Sequence, residues 1–191
     1  MANHPKKNLA VFASGSGSNF ETIAKAVQNG EINANMALLV CNKPTAGVIA
    51  RAEKLGVTTC LIDRKAYASR EAYEAVVLQA LTEHGIDFIA LAGYMLLVGP
   101  TLLDAYQGRM VNIHPSLLPA FAGANGIADA FAYGVKVSGV TIHWVDAGMD
   151  TGQIIAQEMV RLSDSDTLGT FSDKIHAVEH KLYVQTLRNL L

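Results

Sequence analysis

The chain has 191 residues, half of them apolar and 17% charged, with a formal net charge of −2. That length suits one domain, taken here as residues 1–191, which can bury roughly 70% of its unfolded surface without a disulfide or a metal. The composition excludes a disordered chain, and the near-balanced charge excludes a broad polyanion-binding surface, so no nucleic-acid partner is expected.

The N-terminus is polar and short. The apolar run at residues 9–13 is too brief for a secretion signal and reads as a strand, so the expected compartment is the cytoplasm. No stretch approaches the roughly 20 apolar residues of a membrane helix, so no membrane partner is expected either. Ser14-Gly15-Ser16-Gly17-Ser18-Asn19 follows as a tight turn. Residues 20–27 have helical spacing and Gly30 stops them. A buried strand at 36–40 ends in a loop at Asn42-Lys43-Pro44. A helix over 46–55 closes at Gly56, and a third strand covers 58–62. Ser69 caps a helix running to about His84, with Gly85 as its stop. A fourth strand over 88–92 leads to Gly93-Tyr94-Met95. Residues 110–114 end a fifth strand, and 128–133 form a short helix. Two strands, 137–145 and 153–160, are joined by an acidic loop. Residues 167–190 form a closing helix with Phe171, Ile175, Val178, Leu182 and Leu187 on one side. Trp144 and Phe12 are expected in the core. Cys41 and Cys60 lie far apart and read as free thiols, and no Cys/His cluster calls for a metal.

Strands alternating with helices predict an α/β fold: a single doubly wound, mostly parallel sheet with helices on both faces. Ligands of such sheets bind at the carboxyl ends of the strands, and three segments fall there. The loop 14–19 has small residues that let backbone N–H groups converge, and the next helix adds its positive end, which suits a phosphate. It lacks the third glycine of a dinucleotide fingerprint, and the second strand ends without an acid, so no NAD is expected. Asn112-Ile113-His114-Pro115-Ser116-Leu117-Leu118-Pro119 places Asn112 and His114 on one face at a strand end. There an amide can donate to a developing oxyanion and an imidazole can handle protons near neutral pH. Asp146-Ala147-Gly148-Met149-Asp150-Thr151-Gly152 offers too few oxygen ligands for calcium. One of its acids could instead orient His114, as in other His-Asp pairs.

Together these segments resemble the folate-dependent formyltransferase family, from about residue 9 to residue 183. The resemblance implies a Rossmann-like formyltransferase fold. It also implies transfer of a formyl group from 10-formyltetrahydrofolate, a cosubstrate, to the amine of phosphoribosylglycinamide in purine biosynthesis, with no metal. It carries the catalytic set onto Asn112, His114 and Asp150. Phosphate and amine-substrate binding fall on Gly17, Ser18, Asn19 and Glu179, and folate binding on Arg70, Met95, Leu96, Leu97, Val98 and Asn112. His176 falls near the amine-substrate pocket, His143 beside Asp150, and His84 at a helix C-terminus. A homodimer is left open. Four positions depart from the family pattern: Leu96 for arginine, Ala122 for proline, Asn125 for histidine and Gln153 for proline. Losing two prolines is expected to loosen the loops around the site. The rivals are a methionyl-tRNA formyltransferase or a formyl-folate hydrolase, both of which need more chain for their extra domains, a NAD-dependent enzyme, and a silent nucleotide-binding module.

Overall fold

A computed structural model describes residues 5–191; residues 1–4, the start of the N-terminus read as polar, lie outside the described residues. Strands β1 (Lys7–Ala13), β2 (Ala34–Cys41), β3 (Thr59–Leu61), β4 (Phe88–Leu91) and β5 (Met110–His114) are followed in turn by helices α1 (Ser18–Gln28), α2 (Val48–Lys54), α3 (Arg70–Glu83), α4 (Pro100–Ala105) and α5 (Gly126–Tyr133). Strands β6 (Val137–Trp144) and β7 (Ile154–Arg161) and helix α6 (Leu168–Leu190) complete the chain. The strands form one sheet in the order β3-β2-β1-β4-β5-β6-β7. Pairing is parallel from β3 through β5 and antiparallel for β5–β6 and β6–β7.

The continuous apolar run of β1 fits a strand covered on both faces. Leu9, Val11 and Ala13 face one core and Ala10 and Phe12 the other. The first core takes Phe20 and Ile23 of α1, Val48 of α2, Ala130 of α5, and Phe171, Ile175 and Leu187 of α6. The second takes Tyr73, Val77 and Leu81 of α3 and Leu102 of α4. Each fully buried Phe, Leu or Ile stabilises the fold by about 1.5–3 kcal/mol relative to an exposed one. The cap at Ser69 forms as expected, and the structure adds one at Thr167. Ser69 Oγ accepts the Ala72 N–H at 3.1 Å, and Thr167 caps α6 in a reciprocal box with Thr170. The ring of His84, which caps the C-terminus of α3, sits 2.8 Å from the Ala80 carbonyl.

Two elements go beyond the sequence pattern, α4 and a single 3-10 turn at Arg64–Ala66. Both are too short to show a period. Helix α4 is marked only by Pro100 in its first turn. The turn is held by Asp63, whose side chain accepts the Lys65 N–H. Trp144 departs from the expected core position: it is half-buried at the end of β6, edge-on to Phe88.

Candidate active site

The strand order reverses between β1 and β4, and a cleft of about 570 Å³ opens there, at the carboxyl ends of β1, β4 and β5. Three walls reach it by different routes.

The first wall is the β1–α1 loop. Gly17 is the N-cap of α1 at φ 79°, with no side chain capping the helix, so the first-turn amides face the cleft with the positive end of the dipole. Packing demands glycine here as well. An added Cβ would lie 2.4 Å from Val48 Cγ2, at the first turn of α2. The Arg51 Nε of α2 donates to the Ser16 carbonyl at 2.8 Å, and its guanidinium is paired with Glu21. Helix α6 closes this end. Buried Glu179 accepts from Asn19 Nδ2 at 3.3 Å and from His176 Nδ1 at 2.7 Å, both on Oε2. The Glu179 carboxylate raises the His176 pKa above its ordinary value, against the opposing effect of burial.

The second wall is the segment after β4. Met95 is 62% exposed and Leu97 42%, whereas Val98 is buried. Ser14 anchors the segment: its Oγ accepts the Met95 N–H at 2.9 Å and donates to Asn42 Oδ1 at 2.6 Å. Arg70, expected on the folate side, does not line this cleft. It lines an adjoining cavity of about 240 Å³ that shares Tyr94, Leu96, Leu97 and Val98 with it.

The third wall is where β5 meets β6 and the loop between β6 and β7. Asn112 pairs with His143 across the ladder, so the two side chains share a face. Asn112 Nδ2 lies 3.1 Å from His143 Nε2 and 3.4 Å from Asp150 Oδ1. His143 Nδ1 donates to the Trp144 carbonyl at 2.8 Å, which fixes the ring with Nε2 turned toward Asn112 and Asp150. Asp150 reaches back with φ 57°, a left-handed conformation that Asp tolerates better than most residues. Two residues on, Gly152 is required, because a Cβ there would lie 1.7 Å from the Trp144 carbonyl oxygen. Asp150 Oδ2 accepts the Gly123 N–H at 2.9 Å and sits 3.4 Å from His114 Nδ1, and Oδ1 sits 3.7 Å from His143 Nε2. Burial works to raise the Asp150 pKa, but His143, the Gly123 amide and the His114 ring outweigh it and hold it below the ordinary carboxylate value. His114 Nε2 lies 2.8 Å from the Phe121 carbonyl. A carbonyl only accepts, so that nitrogen carries a hydrogen.

Gly17, Ser18, Asn19, Met95, Leu96, Leu97, Val98, Asn112, His114, Asp150 and Glu179 therefore line one cleft, and Arg70 stands next door. Sequence reading treated His143 as a neighbour only. Its contact with Asn112 follows from the antiparallel register, which becomes legible once β6 is paired against β5. The Phe121 carbonyl and Gly123 amide carry no side-chain signal. Among the described residues no cluster of three metal-ligating side chains occurs, and no helix is long and apolar enough to cross a membrane.

A doubly wound sheet thus carries, around one cleft, a small-residue loop at a helix N-terminus and the side chains of Asn112, His114 and Asp150. Residues 7–187 match the formyl transferase family, and the chain belongs to that family. Within it, the chain is 49% identical to phosphoribosylglycinamide formyltransferase of Bacillus subtilis (strain 168), over 97% of this chain and 95% of the relative. The crystal structure of phosphoribosylglycinamide formyltransferase from Bacillus halodurans superimposes with a TM-score of 0.94 at 56% identity, covering 97% of this chain and 95% of that one. Glycinamide ribonucleotide transformylase 1 from Geobacillus kaustophilus gives 0.95 at 51% identity, covering 97% and 99%.

Proposed function

We propose that this enzyme transfers the formyl group of 10-formyltetrahydrofolate to the amine of phosphoribosylglycinamide, a step of purine biosynthesis. The observation that carries the proposal is the make-up of one cleft: open helix amides at Gly17, an apolar rim at Met95 and Leu97, and Asn112, His114 and Asp150 on the wall where β5 meets β6. A phosphate at the first and a folate at the second would bring amine and formyl carbon together over the third. Holding both substrates in one site supplies much of the acceleration by proximity.

In the step we assign, the amine nitrogen attacks the formyl carbon and the carbonyl becomes a tetrahedral oxyanion. The Asn112 N–H now 3.4 Å from Asp150 is a long, weak bond and is the hydrogen free to turn to that oxygen. The formyl oxygen replaces the Phe121 carbonyl as acceptor for the His114 Nε2 hydrogen. With Asp150 facing Nδ1, both nitrogens of the imidazolium then have an oxygen partner. The bond from the formyl carbon to N10 of the folate breaks, and the amine proton ends on that nitrogen, giving tetrahydrofolate and the formylated amide. Glu179, with Asn19 and His176, is assigned to the glycinamide and ribose side, and Arg70 to the glutamate tail of the folate. Residues 1–191 are taken to work as one domain in the cytoplasm with these small molecules as partners.

The test is tetrahydrofolate release from 10-formyltetrahydrofolate, followed with and without phosphoribosylglycinamide. Release that depends on this amine supports the assignment. Release into water alone, or only with a charged methionyl-tRNA, replaces it with a relative's reaction.

A further inference from the structure

Two consecutive carbonyls of the small-residue loop are drawn toward the same helix. The Val48 N–H of α2 donates to the Gly15 carbonyl at 3.1 Å, and Arg51 Nε of α2 donates to the Ser16 carbonyl at 2.8 Å. Both peptide units are trans, and in a trans unit the N–H points opposite to the C=O. The amides of Ser16 and Gly17 therefore point away from α2. No described residue of α2 lines the cleft, whereas Gly15, Ser16, Gly17, Ser18 and Asn19 all do, so the side away from α2 is the cleft side. Neither of these two amides has an acceptor among the described residues. They extend the row of free donors that the first turn of α1 begins.

The two ties differ in kind. The Val48 bond is backbone to backbone and survives any side-chain change, but the Ser16–Gly17 unit depends on Arg51 alone. Gly17 stands at φ 79°, and glycine leaves such a unit free to rotate unless something outside holds it. Arg51 also pairs through Nη1 with Glu21, which Lys25 holds at 2.6 Å from the other side. Glu21 lies in the first turn of α1, where an uncompensated carboxylate would repel an anion at the helix start.

We infer that Arg51 is a positioning residue for the phosphate of the amine substrate. It acts from behind the loop: its Nε–H holds the Ser16 carbonyl against α2 and so aims the Gly17 N–H into the cleft, while its Nη1 offsets the charge of Glu21. The orientation is the larger part. The inference rests on the assignment of a phosphate to this loop in the reading above, and adds the side chain that keeps the loop in its receiving geometry.

The experiment is calorimetric titration with ribose 5-phosphate, which needs no turnover. Arg51→Ala should bind it about tenfold more weakly than wild type, the worth of one hydrogen bond to a charged group. Arg51→Gln should recover part of the loss, because the glutamine amide nitrogen stands at the same bond count along the side chain as Arg51 Nε. The pair Arg51→Met/Glu21→Gln keeps the side-chain stem and the charge balance and removes only the donor, so it guards against misfolding; its affinity should stay several-fold below wild type. In steady-state kinetics, Arg51→Ala should raise the KM for phosphoribosylglycinamide by the same factor, with kcat and the folate KM near wild type. Unchanged affinity in Arg51→Ala, wild-type affinity in the Arg51→Met/Glu21→Gln pair, or a fall in kcat at constant KM overturns the inference. A weakened Arg51→Ala titration in a preparation that transfers no formyl group supports the role of Arg51 while removing the reaction assigned above.

Discussion

Asn112, His114 and Asp150 sit at the junction of parallel and antiparallel strands, where Asn112 meets its ladder partner His143, Asp150 meets the Gly123 amide and two imidazoles, and His114 meets the Phe121 carbonyl. Across the cleft, Met95 and Leu97 stand 62% and 42% exposed on a segment whose neighbours are held by Ser14, by the Tyr73 hydroxyl at Tyr94 and by Glu74 at Gly99. The first region keeps its functional side chains buried and paired, and the second turns its apolar side chains out to solvent. The contrast follows from what each has to do. A group that stabilises a transient charge acts best when already oriented and shielded from water, whereas a surface that is to receive the cosubstrate proposed above has to be open to it.

If the contrast is real, damage at the junction should appear in turnover and damage at the rim in binding. The largest effect is expected from Asp150→Asn, which keeps the shape and removes the charge facing His114. We expect kcat to fall at least about 100-fold, the scale of lost acid–base or charge assistance, with little change in affinity for phosphoribosylglycinamide. His114→Ala should cost as much and the double variant little more, because groups that act as a unit are not additive. Additive losses in steady-state kinetics would break the coupling. Next comes Gly17→Val. The left-handed backbone and the 2.4 Å approach to Val48 mean that the loop must shift away from α2, carrying the helix amides with it. Calorimetry should show affinity for phosphoribosylglycinamide reduced about 100-fold, the worth of one or two hydrogen bonds to a charged group. Unchanged affinity in a folded variant would take the phosphate away from this loop.

A smaller effect is expected at the rim. Arg70 is exposed, so Arg70→Ala should raise the folate KM about tenfold or less and leave kcat near wild type. A collapse of kcat with unchanged folate binding would place Arg70 in the chemistry and erase the contrast. The smallest is a matter of pH. The Asp150 pKa is lowered in the folded chain, so its ionised form stabilises the fold above the unfolded value of about 3.9 and that contribution is lost as pH falls through the folded value. Thermal melts of wild type and Asp150→Asn should therefore converge below about pH 4. A constant gap between them down to pH 3 would mean that the carboxylate is not held by the contacts seen here.

How far each region could be read beforehand follows the same division. Residues 9–13 announced a strand covered on both faces because every one is apolar, and Ser69 announced a helix start because its hydroxyl replaces a missing backbone partner. Asn112 and His114 were legible as a pair because alternation on a strand is local geometry. Helix α4 was not, since six residues hold less than two turns and show no period. His143 became a partner of Asn112 only when β6 ran antiparallel to β5, and strand direction is not written in either strand alone.

The sequence by itself determined the alternation of strands and helices, the small-residue loop before α1, and the motifs that resemble a formyltransferase. Each of these is a matter of residues close together in the chain. Tertiary structure alone decided that the Phe121 carbonyl and the Gly123 amide complete the surroundings of His114 and Asp150. It also decided that Arg64 and Arg70 share a cavity next to the cleft rather than inside it. A backbone carbonyl or amide is the same group in every residue, and two arginines six positions apart can face anything until the fold sets their turn and helix side by side.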